Sequence, residues 1–161
     1  MVICPEPLTA AAFHAFGEVI QMEGHQPLEI NSGNTKKYAD LARLVASDGA
    51  RLALHLYRSK PVESPLTIRS MERHPLGSQA FVPLHDRPFP IVVALPGPVP
   101  GAAEIRVFLS NGLQGVNLHP GTWHHYQLSI GQESDYLVID RVGGAENFEE
   151  VILSEPVMVQ I

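Results

Sequence analysis

The chain has 161 residues, 45% apolar and 17% charged, with a formal net charge of −6, which fits one globular domain spanning residues 1–161. Such an acidic balance argues against a nucleic-acid surface, which depends on clustered Lys and Arg. The single cysteine, Cys4, excludes an internal disulfide or a thiolate metal cluster; with no signal-peptide pattern near Met1 and no apolar run of membrane-spanning length, a cytoplasmic protein without a membrane partner is expected.

Residues 3–8 contain Pro5 and Pro7 and read as an extended entry, because proline cannot sit inside a helix. Thr9 suits the cap of a short helix over residues 10–16, ended by Gly17, and a brief strand follows at 18–20. Residues 24–33 turn polar. Asn31 there is either a turn residue or one that faces a ligand. Residues 38–44 are ambiguous between a strand and a helical turn.

Residues 51–58 alternate, with Leu52, Leu54 and Leu56 on one side and Ala53, His55 and Tyr57 on the other. Arg58 closes the leucine row. Its planar fork suits a carboxylate entering a pocket, and the alternative is a surface arginine lying over the core edge. A strand over residues 66–74 places Glu72 and His74 on one face, since they are two apart. After a turn at 75–77, strands are expected at 79–84, 91–95 and 104–109, with a rigid Pro/Gly loop over 96–101.

The stretch from Asn117 to Tyr126 holds three of the eight histidines and the only tryptophan. Pro120-Gly121 predicts a turn feeding a strand from Thr122. Strand parity then puts Thr122, His124 and Tyr126 on one face and Trp123 and His125 on the other, without choosing which face lines a cavity. A last strong strand runs over 135–141, and residues 146–155 form a terminal strand or arm. Eight to ten short strands with one short N-terminal helix predict an all-β sandwich or barrel.

Glu72, His74, Gln79 and His124 form a set of polar side chains from two segments. Such a set can ligate a divalent metal through carboxylate, imidazole and amide oxygen, or move protons with no metal at all. The run Glu72-x-His74-x4-Gln79 resembles the first motif of the cupin barrels, with Glu in place of a ligand His and Gln in place of a ligand Glu. Pro120-Gly121-Thr122-Trp123-His124 resembles the second. Those replacements predict a weaker metal site than a typical cupin has, or none.

A narrower resemblance covers almost the whole chain. Ile30-Asn31-Ser32-Gly33, Tyr38-Ala39-Asp40-Leu41-Ala42, Leu66-Thr67-Ile68, the run from Met71 to Pro83, Asn111-Gly112, Gln114-Gly115-Val116-Asn117, Trp123-His124-His125 and Ile139-Asp140-Arg141 are similar to the ureidoglycolate lyase family. That resemblance implies a cupin-like, jelly-roll β-barrel acting as a homodimer. It implies cleavage of ureidoglycolate into glyoxylate and urea in purine (allantoin) catabolism, with nickel as the metal if one is bound.

For that reaction Arg58 would clamp the substrate carboxylate, with Asn31 as a further substrate-binding candidate. His124 or His74 would act as base, and Glu72 would orient it or donate a proton. Gln79 would bond the urea portion or complete a metal shell with Glu72, His74 and His124. Two alternatives stand beside this reading: a non-catalytic cupin that binds a small anionic metabolite, and an amidohydrolase that releases ammonia and needs an activated water.

Overall fold

A computed structural model describes residues 2–161. β1 (Val2–Ile3) and β2 (Glu6–Pro7) are two-residue strands, kept short by the prolines around them. The Thr9 hydroxyl accepts from the Ala12 amide at 3.2 Å and starts α1 (Ala10–Phe13). The helix is one turn, shorter than the residues 10–16 expected, because the chain must bury Phe16 and reach β3 (Gly17–Ile20) at once. Gly17 lies so close to the facing strand that a Cβ there would collide with the Asn117 carbonyl.

β4 (Leu28–Ile30) and β5 (Thr35–Lys37) pair only with each other, as an exposed hairpin. The ambiguous stretch 38–44 holds neither a strand nor a helical turn, and just beyond it Ala46 makes an isolated bridge to Gly77. β6 (Arg51–Ser59) and β7 (Pro61–Val62) lead into β8 (Leu66–Arg73), β9 (Gln79–Pro83) and β10 (Pro90–Ala94). A 3-10 turn (Ala102–Glu104) precedes β11 (Arg106–Leu109), β12 (Gly115–Leu118), β13 (Trp123–His124), β14 (Ser129–Ile130), β15 (Ser134–Val142) and β16 (Glu149–Val159).

Two sheets face one another in a cupin-like barrel. One has seven strands in the order β1-β16-β8-β13-β10-β11-β2, the other five in the order β3-β12-β9-β15-β6. Phe13, Phe16, Phe89, Phe108, Val116, Tyr136 and Val138 belong to the apolar cluster that fills the space between them. A second cluster, including Trp123, Val92, Val107 and Val157, covers the other face of the seven-stranded sheet. β10 is therefore buried on both faces, which is why its sequence, Pro-Ile-Val-Val-Ala, is apolar throughout.

The alternation of β6 is present, but its leucines point outward: Leu54 is 62% and Leu56 70% exposed. The polar side is the interior one. Ala53, His55 and Tyr57 pair with Asp140, Val138 and Tyr136 of β15, and Tyr136 and Val138 are fully buried.

Candidate active site

The polar end of the barrel is built where β8 and β13 meet. His124 is the direct cross-strand partner of Glu72, so the two side chains leave the same side of the sheet. His74 follows one residue past the end of β8, and its ring centroid lies 5.3 Å from that of His124. One ligand atom each from Glu72, His74 and His124 falls within 4.8 Å of the others. Gln79 opens β9, and together with Glu72, His74, Tyr57 and Asp140 it lines an open cleft of about 600 Å³, a size suited to a small metabolite. A groove of about 580 Å³ beside β2 gathers no comparable set of ligating or nucleophilic side chains.

Both imidazoles are held in one tautomer. His74 Nδ1 sits 2.8 Å from the Asn147 carbonyl and His124 Nδ1 3.0 Å from that of Thr122. A carbonyl only accepts, so each Nδ1 carries the proton, and each Nε2 of a neutral ring offers a lone pair. Those two Nε2 atoms and Gln79 Oε1 are buried without a partner. His124 Nε2 is 3.4 Å from Glu72 Oε1, near enough for charge to act but not a formed hydrogen bond. The two Nε2 atoms and the Glu72 carboxylate are thus acceptors set close together with no donor among them, and a shared proton, a metal ion or a hydrogen-bond donor of a ligand would relieve their mutual repulsion. The donor set of two imidazole nitrogens, a carboxylate and an amide oxygen fits a divalent ion.

Burial alone would raise the Glu72 carboxyl, but the adjacent His124, with the charges of His74 and His125, outweighs burial and holds it below its ordinary value. Burial, helped by His124, pushes His74 down, so its ring favours the neutral form. Tyr57 is pushed up by burial and by the charges of Asp140 and Glu72, which keeps its hydroxyl protonated.

The structure answers the parity question. His124 is buried against Glu72 and His74, which line the cleft, whereas His125 turns its Nδ1 to the Ser70 carbonyl at 2.9 Å and Trp123 enters the second core cluster. Tyr126 lies on the cleft wall. Arg58 is at the rim, its guanidinium bonded twice to Asp135 at 2.7 and 2.9 Å, and that ion pair holds its pKa above the ordinary value. Asn31 is not brought to the cleft. It caps the exposed hairpin with φ 52° and donates to Thr35.

Tyr57, His55 and Asp140 were not singled out from the sequence as site residues. The signal for Asp140 was its alternation with Tyr136 and Val138 on an apolar strand. A charged residue in register with a buried stripe needs a reason to be there.

A family model described as Ureidoglycolate lyase matches residues 1–160. The chain belongs to the ureidoglycolate lyase family. It is 47% identical over 151 residues to the ureidoglycolate lyase of Burkholderia mallei (strain NCTC 10229), covering 93% of this chain and 88% of that protein. Against the ureidoglycolate lyase of Azotobacter vinelandii it is 48% identical over 157 residues, covering 96% and 93%. Brucella anthropi has a ureidoglycolate lyase 48% identical over 152 residues, covering 93% and 89%. Within this lyase family the chain thus aligns over the residues that build the cleft, at nearly full length on both sides.

Proposed function

We propose that this protein is a lyase that cleaves the C–N bond of ureidoglycolate to give glyoxylate and urea in purine catabolism, with residues 1–161 acting as one domain. The observation that carries the reading is the pair of imidazole lone pairs fixed beside Glu72 in a small cleft, in a chain belonging to the ureidoglycolate lyase family. Ureidoglycolate is a carbinolamine with a carboxylate. Its cleavage takes a proton from the hydroxyl as the carbonyl forms, and delivers one to the nitrogen as the C–N bond breaks.

In this reading Nε2 of His124 or His74 removes the hydroxyl proton, and the same ring returns it to the departing ureido nitrogen. Glu72, favouring its ionised form, steadies the imidazolium rather than acting as the acid. Tyr57 supplies a protonated hydroxyl on the opposite wall. Arg58 takes the substrate carboxylate in competition with Asp135. Gln79 Oε1 accepts from the urea portion. Were a divalent metal held instead by Glu72, His74, His124 and Gln79, with nickel favoured by the family resemblance, it would occupy the Nε2 lone pairs and supply Lewis-acid polarisation of the substrate oxygens in place of the imidazole base.

The reading includes a homodimer in the cytoplasm. The outward row Leu52, Leu54 and Leu56 supports a second copy, because water-facing leucines in a row mark an association surface. Asn31, at the hairpin tip and away from this cleft, would touch substrate only across a contact between copies. The exposed free Cys4 suits a reducing compartment. The test is to incubate the purified protein with ureidoglycolate and measure urea, glyoxylate and ammonia before and after chelation. Urea with glyoxylate is expected. Ammonia in place of urea would indicate the amidohydrolase, and no product with any added metal would leave only binding. Loss on chelation and recovery with nickel would assign a working metal.

A further inference from the structure

We infer that Asp140 is a positioning residue that locks the Gln79 amide with its oxygen facing the cleft, so that the site receives the N–H-bearing end of its substrate there. The inference rests on the lyase reading for the identity of that substrate. Gln79 Nε2 donates to Asp140 Oδ2 at 3.3 Å, and Asp140 Oδ1 lies 3.1 Å from His55 Nε2. The three come from neighbouring strands β9, β15 and β6, and all project to the interior.

An amide can be turned through 180° with little change of shape, so its orientation is set by what it touches. A carboxylate offers only acceptors, and therefore the NH₂ edge of Gln79 must face Asp140. The oxygen then faces the other way. It is the atom found buried and without a partner. His55 holds the second carboxylate oxygen, which stops Asp140 from swinging away.

The consequence is selectivity for one end of the substrate. A buried acceptor with nothing donated to it strongly prefers an N–H and repels a carboxylate or carbonyl oxygen. The ureido group, with its N–H donors, belongs against Gln79, and the carboxylate end must lie away from it, toward the rim.

The test exchanges the two groups. Asp140→Asn lets the amide sit either way round, and Gln79→Glu sets two carboxylates face to face. Each single variant is expected to weaken binding of urea, measured directly by titration without turnover, by roughly tenfold. Glyoxylate binding should stay within about twofold. In the double variant Asp140→Asn/Gln79→Glu the new amide donates to the new carboxylate, which again presents an oxygen inward. Urea binding should then recover to within about threefold of the parent.

Equal losses for urea and glyoxylate, or a double variant no better than the worse single one, would overturn the inference. So would unchanged urea binding in Asp140→Asn. In ¹⁵N-labelled protein the Gln79 side-chain NH₂ resonances should shift in Asp140→Asn and in His55→Gln. That readout stands even if the singles bind too weakly to titrate, and unmoved resonances would overturn the lock. A parent protein that fails to cleave ureidoglycolate would sink the lyase reading while leaving the amide shift to report on Asp140.

Discussion

The two halves of the barrel interior share strands and differ in nearly everything else. β9 gives Gln79 to the cleft and Phe81, two residues on, to the boundary where cleft meets apolar filling; β15 gives Tyr136 and Val138 to the filling and Asp140 to the cleft. In the filled half the Phe13, Phe16 and Phe108 rings pack with centroids 5.2–5.9 Å apart, and the buried Tyr136 hydroxyl donates to the Leu128 carbonyl. In the cleft half the Nε2 atoms of His74 and His124 and the Oε1 of Gln79 are buried acceptors with no donor. An unpartnered buried polar atom costs about 1–3 kcal/mol, so the filled half contributes the stability that the open half consumes.

That division can be broken most sharply by chemistry. His74→Gln with His124→Gln should lower kcat for ureidoglycolate by roughly 10²–10⁴, the usual contribution of acid–base groups, with the melting temperature little changed. Turnover within about tenfold of the parent would remove both imidazoles from the mechanism.

Phe108→Ala should do the reverse. Loss of a fully buried phenyl costs about 3–5 kcal/mol, which should lower the melting temperature by roughly 6–20 °C while kcat per folded molecule holds. A calorimetric scan read beside an activity assay separates the two.

Acid should act on the fold through its buried histidines. Burial lowers the folded-state pKa of His74 and of His125 below the ordinary 6.5. Below 6.5 the unfolded chain therefore binds more protons than the folded one. The stability tied to the neutral rings is present above that pH and is lost as pH falls through it. Melting temperatures measured from pH 8 to 5.5 should fall on the acid side, and His125→Gln should flatten the fall. A profile as steep in the variant would clear His125 of any part in it.

The smallest expected change lies outside the barrel. Leu54→Glu with Leu56→Glu alters two exposed side chains, so each should shift folding stability by no more than about 0.5 kcal/mol. The same pair should halve the sedimenting mass if the leucine row joins two copies. An unchanged mass would place any dimer contact elsewhere.

The strands were legible because turns and alternation are local. Pro75 to Gly77, Pro120-Gly121 and Gly143-Gly144 punctuate the sequence where the chain turns. Leu52 to Tyr57 alternates as a strand should, yet periodicity states only that two faces differ, and the apolar face here is the outer one. The pairing of Glu72 with His74 followed from their spacing, the turn at 75–77 brought in Gln79, the turn at Pro120-Gly121 brought in His124, and the cupin motifs then matched all four. What joins those four is a cross-strand register between residues some fifty apart, which no local pattern reports. Asp140 was missed for the same reason. It acts through contacts on two other strands, and by itself it is one acid in an apolar run.

The backbone carbonyls of Asn147 and Thr122 have a thermodynamic consequence. With each Nδ1 proton committed, any proton residing in the acceptor cluster must sit on Nε2 or on the Glu72 carboxylate, where an incoming cation would have to displace it. Ion uptake would then be an exchange, and its calorimetric heat should vary with the ionisation enthalpy of the buffer. Any ion taken up there would be held more loosely in acid and more tightly in base, so that bulk pH, with no dedicated effector, would set its occupancy.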